Sequence, residues 1–145
     1  MKLTNYTDYA LRVLIYVANK DMNNKSTITE ISNAYHISRN HLVKVIHQLG
    51  KIGVIHTTQG RGGGITLAKP PNMINVGYIV RQTEDNFHLV ECFNKENNNC
   101  VLTPVCGLRT VLGEALAAYL AVLDKYTIHD LITDPQTFKQ LLQIE

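Results

Sequence analysis

Between Val54 and Ala68 the chain gives up helical spacing and doubles back on itself. Val54-Ile55-His56-Thr57-Thr58 is rich in β-branched residues, Gln59-Gly60-Arg61-Gly62-Gly63-Gly64 follows, and Ile65-Thr66-Leu67-Ala68 alternates before Pro70-Pro71 stops it. This pattern is that of a β-hairpin with a glycine-rich tip. The residues before it have helical period. Residues 5–19 put Tyr6, Tyr9, Ala10, Val13, Leu14 and Val17 on one face. Ser26 or Thr27 caps a second short helix through Ala34, with Glu30 placed for a capping box after Thr27. Tyr35-His36-Ile37 makes a tight connection, and Ser38 caps a third helix to about Lys51 whose inner face is Leu42, Val45, Ile46 and Leu49. Gly53 is placed to end it. Two short helices joined by a tight turn and followed by a hairpin predict a winged helix-turn-helix. The glycine run is not a phosphate loop, because it lacks the Gly-Lys-Ser/Thr ending and follows no βαβ unit.

In such a fold the second helix of the pair enters the major groove of DNA and its first residues meet base edges. Here these are Ser38, Arg39, Asn40 and His41, with Lys44 and His47 further along the outer face. Arg makes bidentate bonds to guanine and Asn to adenine, so the set can read sequence. Lys44, Lys51 and the wing residue Arg61 suit phosphate or minor-groove contact. Charge distribution agrees. Residues 1–70 carry nine Lys/Arg against three Asp/Glu, a balance of +6, and residues 71–145 carry five against nine, a balance of −4. A double-stranded DNA partner is expected. The segment Ala10–Ala18 contains Arg12 and no cleavage site follows, and no run approaches a membrane span, so no membrane partner and a cytoplasmic location are expected.

The rest of the chain predicts a helix over Val76–Thr83, then a polar, asparagine-rich loop over residues 85–103. Thr103-Pro104 has the form of a helix start and predicts a long helix to about Tyr126, with a short terminal helix beyond. Along the long helix Leu108, Leu112, Ala115, Tyr119, Val122 and Tyr126 form a heptad-like seam, and Leu116, Leu120 and Leu123 widen it. A solitary surface helix does not need two apolar stripes, so a homodimer is expected. The organisation is then mainly α. Residues 1–71 form a winged helix-turn-helix with a β-hairpin wing, 72–106 a linker helix and loop, and 104–145 a long C-terminal dimerisation helix and tail.

The three cysteines, Cys92, Cys100 and Cys106, lie within fifteen consecutive residues in the pattern C-x7-C-x5-C. An odd number so clustered argues for a metal or redox site over a disulfide framework. A structural zinc site usually opens with two cysteines two to four residues apart, and none is present. Soft thiolates on a wide loop suit an iron–sulfur cluster, with zinc, a thiol switch or inert loop cysteines as the alternatives that spacing leaves open. Cys106, read into the first turn of the long helix, has the helix dipole to favour its thiolate. Hydrolase chemistry would need Cys106 or Cys92 beside His88 or His129, plus an oxyanion site and an orienting partner. Neither of these is legible, and no enzymatic role is expected.

Several stretches together match one known family: Met1-Lys2-Leu3-Thr4 with Tyr9-Ala10-Leu11, Ile37-Ser38, Gly62-Gly63-Gly64-Ile65-Thr66-Leu67-Ala68, and the three downstream cysteines. Along essentially its whole length the chain resembles the dimeric bacterial winged-helix regulators that include the IscR, NsrR and CymR proteins. The resemblance implies a DNA-binding transcriptional repressor acting at an inverted-repeat operator. IscR-like members place a histidine ligand three residues after the last cysteine, where this chain has Arg109, which cannot ligate. Nitric-oxide-sensing members carry an aspartate in the first helix that completes a [4Fe-4S] cluster across the dimer interface, and Asp8 matches it. The resemblance therefore implies Cys92, Cys100, Cys106 and Asp8 as ligands of a [4Fe-4S] cluster, with [2Fe-2S] as the alternative. It implies nitric oxide as effector, nitrosylation relieving repression. An IscR-like response to cluster supply or redox state is the alternative function. Two features depart from many relatives: the first gap between cysteines is seven residues where theirs is five, and Gln59 stands where they have Arg before the first wing glycine.

Overall fold

In a computed structural model, which describes residues 1–145, the first helix, α1 (Asn5–Asn19), is the axis on which the other elements pack. Its Ala10, Val13, Leu14 and Val17 recur at helical spacing and are buried. Around it stand α2 (Ile28–Tyr35), α3 (Arg39–Lys51), the strands β1 (Ile55–Thr58) and β2 (Gly64–Leu67), and α4 (Val76–Thr83). After them come α5 (Gly107–Leu123), α6 (Ile128–Leu131) and α7 (Pro135–Leu142). Single 3-10 turns sit at Pro71–Met73 and Glu91–Phe93. The fold is mainly α: α1 touches α3, α4, α6, α7 and β2, and one hydrophobic cluster runs through all of them.

Local sequence sets the helix ends. Thr4 caps α1, accepting from the Thr7 amide at 3.3 Å, and its own amide and hydroxyl both donate to Glu84 Oε1 at 2.8 and 2.9 Å. Thr27 and Glu30 form the expected capping box at α2, with bonds of 3.2 and 2.6 Å. His36 takes the left-handed conformation between α2 and α3 (φ 54°), and Ser38 caps α3 through the His41 amide. The hairpin is antiparallel, with Ile55 opposite Leu67 and Thr58 opposite Gly64.

The C-terminal third differs from expectation in three ways. First, α5 opens at Gly107 and not at Thr103-Pro104, and Cys106 is its N-cap residue, outside the first turn. The Thr103 hydroxyl is spent elsewhere: it donates to the Cys100 carbonyl at 2.8 Å and accepts from Asn98 Nδ2 at 2.9 Å, closing a turn. The helix ends at Leu123, three residues before Tyr126. Second, the tail is two helices, because Asp134 and Pro135 start α7 as a separate element.

Third, the seam is rotated. Leu112, Leu116, Tyr119, Leu120 and Leu123 are half-buried against their own chain, whereas Leu108, Val111, Ala115, Ala118 and Val122 are exposed. The outward set repeats at alternating intervals of three and four. The two stripes lie roughly a quarter turn apart, and a seam read midway between them mixes members of both. α5 has no fully buried residue. It is fixed at its C-terminal end, where Arg81 of α4 pairs with both carboxylate oxygens of Asp124 and Asn75 Nδ2 donates to the Asp124 carbonyl at 2.7 Å. A Cβ on Gly77 would run into that carboxylate.

Candidate nucleic-acid interface and metal ligands

All six residues expected to meet DNA lie on the surface. Ser38, Arg39, Asn40, His41 and Lys44 are exposed at the start and outer side of α3, and Arg61 is exposed at the tip of the hairpin. Their freedom differs. The Ser38 hydroxyl is occupied as a cap, and Arg39 Nη1 donates to Thr29 Oγ1 of α2 at 2.6 Å. His41 lies beside the Tyr9 ring, centroids 6.1 Å apart. Asn40 and Lys44 have no side-chain partner among the hydrogen bonds or salt bridges, so their polar ends face solvent. Gly60 and Gly62 flank Arg61 at positive φ (85° and 73°), which makes the sharp tip.

Asp8 stands in the first turn of α1 and is held by Arg12 one turn on, through contacts of 2.9 and 3.0 Å to the two carboxylate oxygens. The same stretch of α1 reaches the helix pair at three points. The Tyr6 hydroxyl donates to the Lys44 carbonyl of α3 at 3.2 Å, Tyr9 lies against His41, and the Arg12 guanidinium sits over the Tyr35 ring at 5.7 Å. The Tyr35 hydroxyl donates back to the Arg12 carbonyl at 3.0 Å. Burial pushes the Tyr35 phenol up to about 12, against the opposing pull of Arg12, so it stays a neutral donor. These contacts escaped the sequence reading, which placed Tyr6 and Tyr9 on a core face without a role for their polar atoms. The usable signal was the tyrosine hydroxyls themselves, since a half-buried phenol needs a partner.

The cysteines are free thiols: Cys92 in the 3-10 turn and Cys106 at the α5 cap are half-buried, and Cys100 is exposed. Local bonds shape the loop between them; the Cys100 amide, for instance, donates to Asn98 Oδ1 at 3.1 Å. Within a single chain no three His, Cys, Asp or Glu side chains converge on a metal-sized site. The structure therefore gathers α1, α2 and α3 but does not bring the cysteines to Asp8.

A family model described as an iron-dependent transcriptional regulator, Rrf2, matches residues 3–134. The chain belongs to the Rrf2 family. Among Rrf2-type relatives, the HTH-type transcriptional regulator NsrR of Bacillus licheniformis is 56% identical over 142 residues, 98% of this chain and 99% of its own. The HTH-type transcriptional regulator NsrR of Bacillus subtilis is 54% identical over 145 residues, 100% of this chain and 99% of its own. The crystal structure of oxidized CymR from Staphylococcus aureus has a TM-score of 0.73 at 22% identity, over 92% of this chain and 98% of that one, and supports the winged-helix fold. The chain is accordingly a transcriptional regulator whose partner is DNA, and not an enzyme. No helix is long and apolar enough to cross a membrane.

Proposed function

We propose that the chain is a homodimeric repressor that binds an inverted-repeat operator and releases it in response to nitric oxide, sensed through an iron–sulfur cluster. The observation that carries this reading is the contact between the Asp8 turn of α1 and the helix pair, at Lys44, His41 and Tyr35. A change at Asp8 has a short physical route to the residues that would meet bases.

Cys92, Cys100, Cys106 and Asp8 would hold the cluster. The donor set fits it: three free thiols on one loop supply soft ligands, and a partly exposed carboxylate supplies a harder, more readily displaced one. A bound cluster would supply iron reactive toward nitric oxide, and the Asp8 carboxylate would be its most readily displaced ligand. Asp8 has two competing roles, since the oxygens it would offer a metal are those that now accept from Arg12. Engaging Asp8 elsewhere leaves Arg12 with the Tyr35 ring alone, at the last residue of α2 before the turn into α3. Asn40 and His41 then read the major groove, Arg39 shares its fork between Thr29 and a base, and Lys44 and Arg61 take phosphate or the minor groove. The exposed seam of α5 pairs with that of a second copy, and the twofold axis sets half-sites roughly 10–10.5 base pairs apart or a multiple of that.

Protein prepared without oxygen should be coloured and contain iron and acid-labile sulfide, and nitric oxide should change its spectrum and weaken operator binding. Replacing any one of Cys92, Cys100 or Cys106 by Ala should abolish the cluster, while Asp8→Ala should hold it less stably or react differently. A colourless protein with stoichiometric zinc, or equal operator affinity with and without the cluster, would overturn the reading.

A further inference from the structure

We propose that Lys25 is a positioning residue for the wing, its ammonium clasping the glycine-rich tip and fixing where Arg61 meets DNA. The inference rests on the reading of Arg61 as a DNA contact.

Lys25 Nζ donates to the Gly62 carbonyl at 3.0 Å, one residue beyond Arg61. Its neighbour Ser26 exchanges two backbone bonds with Ile65, at 2.9 and 2.7 Å, so residues 25–26 lie along the edge of β2 that β1 leaves free. Gly64 permits the approach, because a Cβ there would come within 2.7 Å of Lys25 Cβ and 2.9 Å of the Ser26 carbonyl. Lys25 is itself held from behind. Lys20 Nζ, on a side chain only 11% exposed, donates to the Lys25 carbonyl at 3.0 Å and to Glu30 Oε1 at 2.7 Å. Glu30 is half of the α2 capping box. A chain of contacts thus runs from the end of α1 through Lys20, the Lys25 backbone and the Lys25 ammonium to the wing tip.

The tip needs such support. A two-stranded ribbon is marginal alone, and three of the five residues between its strands are glycines with much conformational entropy to lose. Within the tip the one backbone bond is Gly63 N to Gly60 O at 3.0 Å. The Lys25 bond to Gly62 brings a donor to it from outside the hairpin.

Lys25→Met keeps the aliphatic stem and removes the donor. In the full-length protein, backbone order parameters at Gly62 and Gly63 should fall while those of α3 hold. Binding to a labelled mixed-sequence duplex at low salt should weaken roughly three- to tenfold for Lys25→Met and similarly for Arg61→Ala, with the double variant no worse than either. Losses that multiply in the double variant would mean Lys25 contacts DNA on its own account, and unchanged order at the tip would remove the clasp; either overturns the proposal. If Arg61→Ala weakens binding and Lys25→Met does not, the role of Lys25 falls alone. If Arg61→Ala binds like wild type, the reading of Arg61 is at fault, and the role of Lys25 falls with it.

Discussion

At the scale of single residues, two positions carry consequences for stability. Gly77 lies where α4 meets the end of α5, and its missing Cβ makes room for the Asp124 carboxylate. Gly77→Ala should push Asp124 off Arg81 and cost about 1–3 kcal/mol, read as a lower denaturant midpoint. Lysine at the same position would be worse. The second consequence concerns acid. Burial opposes ionisation of Glu30, but bonds from Lys20 and Thr27 outweigh it and hold the carboxyl below its ordinary value. Arg81 does the same for Asp124, the Thr127 amide for Asp130 and the Thr137 hydroxyl for Asp134. Each is depressed in the folded state, so its contribution is complete above the unfolded value and disappears as pH falls through the folded one. Urea midpoints should therefore decline progressively below about pH 4.5.

At the scale of elements, the starts of α2 and α3 were legible because one side chain decides each. Thr27 with Glu30, and Ser38, each cap the helix they announce, and Thr27→Ala should cost about 1 kcal/mol and raise amide exchange in the first turn of α2. Thr103 shows the limit of that logic. Its residue type fits a cap, but Asn98 and Cys100 claim its hydroxyl first, and five residues of spacing to Asn98 give no hint of the competition. The candidate site was legible in the same uneven way. Asn40, His41, Lys44 and Arg61 follow from their place on the helix and hairpin, whereas Lys25 and Lys20 act through backbone carbonyls that any sequence would supply. The α5 stripes failed for a different reason: leucine, valine and alanine all satisfy both environments, and only the packing of Leu120 and Leu123 tells which side faces home.

At the scale of the whole molecule, the outward row on α5 is a large apolar surface left over after folding. On the proposed pairing of two copies through this row, Val111→Glu or Ala118→Glu should put a carboxylate in the middle of it and halve the sedimenting mass, with the far-ultraviolet spectrum unchanged. Operator affinity should fall with it, because one recognition helix is then left to act alone. The anchorage of α5 has a mechanical corollary. A rod of seventeen residues, roughly 25 Å long, is pinned to α4 at Asp124 and has Cys106 as its cap at the other end. Leu112, Leu116 and Tyr119 rest on their own chain along the way, so the helix is braced from its root past its middle and its first turn, next to Cys106, is the exposed part. The next joint down the line is Glu84, whose carboxylate grips the Thr4 cap. An unbroken run of side-chain contacts therefore joins the root of α5, by way of α4, to the foot of the helix that bears Asp8.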